Sequence, residues 1–219
     1  MCAVCLTLLS LLFPSILTAM VGPTGAVIGC DRDARRLETL TAAAGRARAA
    51  SIIRPIHADF LSLDPEKDAS LAKVHAILLD PSCSGSGTDA VRGDWLSSAA
   101  GKGGSGEDSA RLERLATFQE AALTHALSAF PSATRVTYST CSVHVRENEA
   151  VVAAVMGGPG GRLGGWALET ALPAWHRRGL AGSAPGLTDD EAACLVRVDS
   201  VEDETDGFFV ALFVREVDK

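Results

Sequence analysis

The chain reads as an α/β protein built on a mostly parallel sheet, with an antiparallel strand pair at its C-terminal end. Three observations predict this. Short apolar strand patterns alternate with amphipathic helical patterns between residues 26 and 156. Three successive strand patterns run into an acid: AVIGC into Asp31, SIIRPI shortly before Asp59, and VHAILL into Asp80. Two apolar runs, Cys194 to Val201 and Phe208 to Arg215, flank the acidic turn EDETDG as paired strands do. With 219 residues, 47% of them apolar, the chain suffices for one domain with a sizeable core.

Taken in order, residues 1–21 are an uncharged apolar run. The run lacks the basic start of a signal peptide and Pro14 interrupts it, so it is expected to be neither a secretion signal nor a membrane anchor. A core helix from Ser15, with Ser15 as N-cap, is the expected alternative. Gly22 to Gly25 is a turn, and Ala26 to Asp31 a buried strand. Arg32 to Ala50 is helical, with Leu37 and Leu40 on one side and Gly45 weakening its middle. Ser51 to Ile56 and Val74 to Asp80 are further strands. Residues 84–110 are Gly/Ser-rich and unpatterned, a long mobile loop that starts beside Cys83. Arg111 to Ala129 is a helix with Leu112, Leu115, Ala122 and Ala126 on one stripe. Gln119 falls within that stripe, either as a satisfied core amide or as support for a nearby loop. Arg135 to Tyr138 is a central strand, Glu147 to Met156 a helix, and Trp166 to Leu168 a short strand.

The net charge of −7 argues against a free-standing nucleic-acid binder, which usually carries a basic footprint. An arginine run (Arg32, Arg35, Arg36, Arg46, Arg48, Arg54) offsets this locally and is read as a solvated helix face. The six cysteines show no disulfide framework at this length, which suits a reducing compartment. Cys2 and Cys5 form a lone CxxC without a second pair or a nearby His, so no metal site is expected.

Two of the strand ends present thiols. AILLDPSCSGSG places Cys83 in a small-residue turn three residues after Asp80, and RVTYSTCS places Cys141 behind the next strand. In a parallel sheet these ends line the ligand crevice. An acid after the strand that follows a Gly turn suits two ribose hydroxyls, and an acid after the next strand suits an adenine amino group, so Asp31 and Asp59 fit an adenosine-containing ligand. The thiols suit covalent chemistry on a pyrimidine. Carbon 5 of cytosine is too weak a nucleophile to take a methyl group until a thiolate has added at carbon 6. An acid near the ring nitrogen then stabilises the adduct, and a second thiol assists the expulsion of the enzyme.

At ILLDPSCSGSG, at TYSTCS with ENE shortly after, and at LPAWHRRGL, CLVRVD and GFFVALF, the sequence resembles the Sun (Nol/Nop/Fmu-type) RNA cytosine-5 methyltransferases, in particular the large-subunit ribosomal RNA subfamily. The resemblance runs from about Ser15 to Val217. It implies a Rossmann-like methyltransferase fold that uses S-adenosyl-L-methionine. It implies Cys141 as nucleophile, Cys83 as the thiol assisting release, and Asp80 as stabiliser of the cytosine and border of the methyl donor. It further implies Asp31 at the ribose, Asp59 at the adenine, and Gly207 and Phe208 in a structural closing motif. The expected partner is RNA, large-subunit ribosomal RNA above all, with no metal, no membrane and a monomeric chain. The expected location is the nucleolus in a eukaryote and the cytoplasm otherwise.

The sequence departs from the family where a strand and a glycine-rich cofactor loop should precede the first helix. It reads CAVCLTLLSLLFPS there, without Gly or Lys. An N-terminally truncated chain is therefore expected: residues 1–21 an atypical apolar segment that supplies at most a strand, and 22–219 a partial catalytic domain. A catalytically silent fragment that binds RNA or a partner is the alternative. A cysteine hydrolase pairing Cys141 with His125 or His144 is a third reading.

Overall fold

The computed structural model describes residues 2–6, 21–22, 24–88, 106–157 and 165–215. Among the described residues eight strands form one sheet: β1 (Cys2–Leu6), β2 (Ala26–Asp31), β3 (Ile53–His57), β4 (Ala76–Leu79), β5 (Arg135–Thr140), β6 (Trp166–Glu169), β7 (Val196–Val198) and β8 (Phe208–Arg215). Their order is β3-β2-β1-β4-β5-β8-β6, with β7 also on β8. β3, β2, β1, β4 and β5 are mutually parallel, and β8 is antiparallel to β5, β6 and β7. β8 spends one edge on β5. Its other edge is shared lengthwise, β7 on Phe208 to Val210 and β6 on Leu212 to Arg215.

Cys2–Leu6 occupies the central slot between β2 and β4. The strand order reverses there, between β1 and β4, and this is where doubly wound sheets open a crevice beyond their carboxyl ends.

The alternation of strand side chains sorts the core into two layers. Val27 packs with Leu37, Leu40, Ala44 and Ile53 under helix α1 (Ala34–Arg46). Ile28, Ile77, Leu79, Val136 and Tyr138 face the opposite layer, with α2 (Gly106–Ser128) and α3 (Glu149–Met156). α2 contributes Leu123, Leu127 and Ala126, all buried. The indole N–H of Trp166 donates to the Leu127 carbonyl at 2.7 Å and so ties β6 to α2. Asp33 caps α1 through the amides of Arg35 and Arg36.

Several sequence expectations need correction. α2 begins at Gly106, so the last five residues of the expected loop 84–110 are helical, with Asp108 in the first turn, where the helix dipole favours an acid. Within that loop, 89–105 lie outside the described residues, as do residues 15–20 of the helix expected over Ser15 to Val21. The strand expected from Cys194 to Val201 is shorter. Thr188 and Glu191 form a capping box that starts helix α4 (Asp189–Cys194), and only Val196–Val198 pairs. The arginine run is not merely solvated, since Arg36 reaches Asp31 and Arg54 reaches Asp68.

Candidate functional site

The loop after β4 and the loop after β5 meet, and they bring Cys83 and Cys141 together with their sulfurs 3.2 Å apart. Both thiols are partly buried. Cys83, as donor, stabilises a thiolate on Cys141 and lowers its pKa, while that hydrogen bond together with burial keeps Cys83 protonated. Asp80, at the end of β4, is pushed up to about 6 by burial, against the opposing effect of the Ser139 hydroxyl, which donates to Oδ1 at 3.0 Å. The two cysteines and Asp80 therefore form one cluster, as the sequence spacing suggests.

Backbone contacts weld these loops together. The Gly87 amide donates to the Cys141 carbonyl at 2.9 Å, and the Gly207 amide donates to the Gly87 carbonyl at 2.8 Å. A side chain on Gly87 would run into the Gly207 carbonyl, so this three-loop junction requires glycine. Ser84, Ser86 and Ser142 close a triangle of hydroxyls 3.1 to 3.3 Å apart, and Ser86 and Ser142 also accept the amides of Val143 and His144.

Below the loops lie Glu147, Asn148 and Glu149, all wholly buried. Asn148 accepts from the Thr140 hydroxyl at 2.6 Å and donates to the Ser142 carbonyl at 2.8 Å, bracketing Cys141. Glu149 receives Arg197 through two bonds of 2.6 Å, and Arg197 also donates to the Val143 carbonyl at 3.0 Å. Glu147 accepts the Ser84 amide at 2.9 Å and the Gln119 amide at 3.0 Å on one oxygen. The sequence signal for these residues was the ENE triplet, but burial of its two acids was not legible. It depends on Gln119 and Arg197, which lie 28 and 48 residues away in sequence.

On the other side of Pro81 and Ser82, a cavity of about 360 Å³ opens between the ends of β2 and β4, the turn after β3, and helices α1 and α2. Asp31, Asp59, Phe60, Arg114 and Phe118 are among its lining residues. Asp31 is buried and already engaged: Oδ1 accepts the Asp33 amide at 2.8 Å, and Arg36 Nε stands 3.2 Å from Oδ2. That pair is not a formed hydrogen bond, so both atoms are buried without one. Asp59 caps the 3₁₀ turn Phe60–Ser62 through the Leu61 amide and keeps a half-exposed oxygen 4.0 Å from Arg32. Asp80 is not part of this lining, although its neighbours Leu79 and Pro81 are.

The remaining candidates fall elsewhere. Cys30 is buried, bonded to the Ala58 carbonyl, with its thiol pushed up to about 11 by burial and by Asp31 and Asp59. His125 contacts the Leu63 carbonyl at 3.0 Å and packs edge-on against Phe60, and burial lowers its pKa. Neither His125 nor His144 hydrogen-bonds a thiol, which removes the geometric basis for a cysteine hydrolase. The side chains of Cys2 and Cys5 lie outside those described. Among the described residues no cluster of three or more metal-ligating side chains occurs, and no helix is long and apolar enough to cross a membrane.

Comparison with known proteins agrees with this architecture. The family model described as 16S rRNA methyltransferase RsmB/F matches residues 14–214. The chain is 46% identical over 200 residues to the 25S rRNA (cytosine-C(5))-methyltransferase NSUN5 of Arabidopsis thaliana, covering 91% of this chain and 33% of that protein. It is 39% identical over 202 residues to a 28S rRNA (cytosine-C(5))-methyltransferase of Mus musculus, covering 92% of this chain and 39% of that one. The chain thus spans well under half the length of either relative. NSun6 from Pyrococcus horikoshii superposes with a TM-score of 0.66 at 17% identity, over 99% of this chain and 48% of that one. A methyltransferase homolog from the same organism superposes with a TM-score of 0.64 at 21% identity, over 88% and 54%. At such identity the superpositions bear on the fold alone.

Proposed function

Because the chain belongs to the RsmB/F family of rRNA methyltransferases, we propose that it carries the catalytic domain of an RNA cytosine-5 methyltransferase acting on large-subunit ribosomal RNA. The observation that carries this reading is the 3.2 Å pairing of Cys83 and Cys141 beside Asp80, at the carboxyl ends of β4 and β5. As the relatives so named are eukaryotic, the nucleolus is the proposed site of action.

The cavity fits the adenosine half of S-adenosyl-L-methionine. It offers a buried carboxylate oxygen on Asp31 that lacks a hydrogen bond, and apolar walls from Phe60, Leu115 and Phe118. Asp31 would take the ribose hydroxyls and Asp59 the adenine amino group, with Arg36 turning away from Asp31 as the ribose enters. When bound, the cofactor supplies an electrophilic methyl group.

Cys141 adds as thiolate to carbon 6 of the cytosine, which makes carbon 5 nucleophilic. Cys83 stabilises that thiolate before addition and assists its departure afterwards, when a base takes the proton from carbon 5, the freed pair re-forms the ring double bond, and the sulfur leaves with the pair of its bond to carbon 6. Asp80, with its pKa near neutrality, is positioned to hold a proton toward the ring nitrogen and so stabilise the adduct.

Calorimetric titration of the purified chain with S-adenosyl-L-methionine tests the cofactor half. Micromolar binding that Asp31→Ala weakens is expected. No binding by a chain shown to be folded would leave only the alternative of a catalytically silent fragment.

A further inference from the structure

We infer that Gln119 and Glu147 are positioning residues that fix Cys83 against Cys141 by gripping the backbone on both sides of Cys83. The inference rests on the reading of Cys141 as the reacting thiol, and it concerns how that thiol is made reactive.

The Gln119 side-chain amide donates to the Ser82 carbonyl at 3.0 Å, one residue before Cys83. The same amide donates to Glu147 Oε1 at 3.0 Å. Glu147 Oε1 in turn accepts the Ser84 amide at 2.9 Å, one residue after Cys83. The pair therefore holds the carbonyl of one flanking residue and the N–H of the other. It is anchored to β5, the strand that leads into Cys141, since the Tyr138 hydroxyl donates to the Glu147 carbonyl at 2.5 Å and stands 3.3 Å from Gln119 Oε1. All three residues are wholly buried.

The cost of this arrangement argues against simple packing. Glu147 Oε2 is buried without a hydrogen-bond partner, and no cation neutralises Glu147 among its described contacts. A buried carboxylate satisfied on one oxygen is expensive, and an apolar side chain would fill the space more cheaply. What the carboxylate provides is an acceptor able to take two donors at once, which closes the clamp around Cys83.

The charged and titratable groups facing Cys141 are Cys83 from the loop after β4, Asp80 from the end of β4 and Glu147 from the turn before α3. Arg197, from β7, holds the Val143 carbonyl of the same loop. Asp80 and Glu147 both oppose a thiolate on Cys141, and the Cys83 hydrogen bond is the largest influence in its favour. Displacing Cys83 would therefore remove the main influence that favours the Cys141 thiolate and leave burial, Asp80 and Glu147 opposing it.

The test needs neither cofactor nor RNA, so its failure is separable from failure of the proposed function. The alkylation rate of Cys141 by iodoacetamide is followed against pH, with the modified peptide identified by mass spectrometry. Gln119→Leu changes no charge, and it is expected to slow alkylation at pH 7 about tenfold, because less of Cys141 is then thiolate. In a Cys83→Ala background the same substitution is expected to change nothing, because the contact it supports is already gone. Glu147→Gln, which keeps an acceptor and removes an opposing charge, is expected to be as fast as the parent or faster. An unchanged rate in Gln119→Leu, or equal slowing with and without Cys83, would overturn the inference. If Gln119→Leu does not fold, Glu147→Ala carries the same cycle. It removes an anion that opposes the thiolate, so slowing there has no simple electrostatic explanation.

Discussion

The thiol cluster and the neighbouring cavity are secured by different means. At the thiol cluster every loop is tied to a buried partner: Gly87 to Cys141 and Gly207, Asn148 to Ser142, and Glu149 through Arg197 to Val143. At the cavity proposed for the cofactor, the acids hold provisional partners that a ligand could replace. Asp31 is faced by an arginine whose side chain is 37% accessible, and Asp59 is half-exposed at the head of a short turn. A nucleophile must be ready before substrate arrives, because misplacement costs rate, whereas a cofactor site must exchange its contacts at each turnover. Substitutions at the thiol cluster should therefore disturb stability and chemistry, and those at the cavity should disturb affinity.

Glu149→Ala should break this contrast most strongly. It leaves Arg197 buried without its carboxylate and should cost about 3–5 kcal/mol of stability, measured by denaturant unfolding. A loss below about 1 kcal/mol would mean that the ion pair behaves as a surface pair.

Asp80 gives the next effect. Its folded-state pKa of about 6 lies above the ordinary carboxylate value, so the folded chain binds this proton more tightly than the unfolded chain does. The associated stability is full below about pH 4 and is lost as pH rises through 6, amounting to about 3 kcal/mol. Asp80→Asn should flatten unfolding free energy between pH 4 and 7 by that amount. A parallel, unflattened profile would refute the burial account of this group.

At the cavity, Asp31→Ala should leave the fold intact and weaken S-adenosyl-L-methionine binding by about 1–3 kcal/mol, the usual range for losing a charged hydrogen-bond acceptor. The smallest effect belongs to Arg36→Gln. It removes the group that competes for Asp31 and should tighten binding by about 0.5 kcal/mol. Weaker binding would show that Arg36 serves the ligand rather than competing with it.

Much of this was legible in the chain itself. Short apolar runs located all four described parallel strands after residue 25; of the acids and thiols behind them, Asp31 and Asp59 line the cavity, while Asp80, Cys83 and Cys141 cluster on the other side of Pro81 and Ser82. Gln119 stood out as a polar residue on an apolar stripe, and it proves to be both a core amide and a loop support. What stayed hidden depends on partners distant in sequence. Nothing local says that Glu147 and Glu149, at the start of a helix, are fully buried. The positions of the amides and the arginine that receive them decide that. The engagement of Asp31 by Arg36 was equally hidden, because a helix arginine is read by default as solvated. Helix α4 could have been found, since Thr188 and Glu191 carry the capping-box spacing ahead of a run read as strand.

The division of labour between the two thiols is tested by comparing Cys83→Ala with Cys141→Ala, each incubated with large-subunit ribosomal RNA and S-adenosyl-L-methionine and then resolved on a denaturing gel. An RNA-linked band that survives denaturation is expected for Cys83→Ala, because Cys141 adds but is not released, and no such band for Cys141→Ala. A band on Cys141→Ala instead, or on neither variant, would contradict that division.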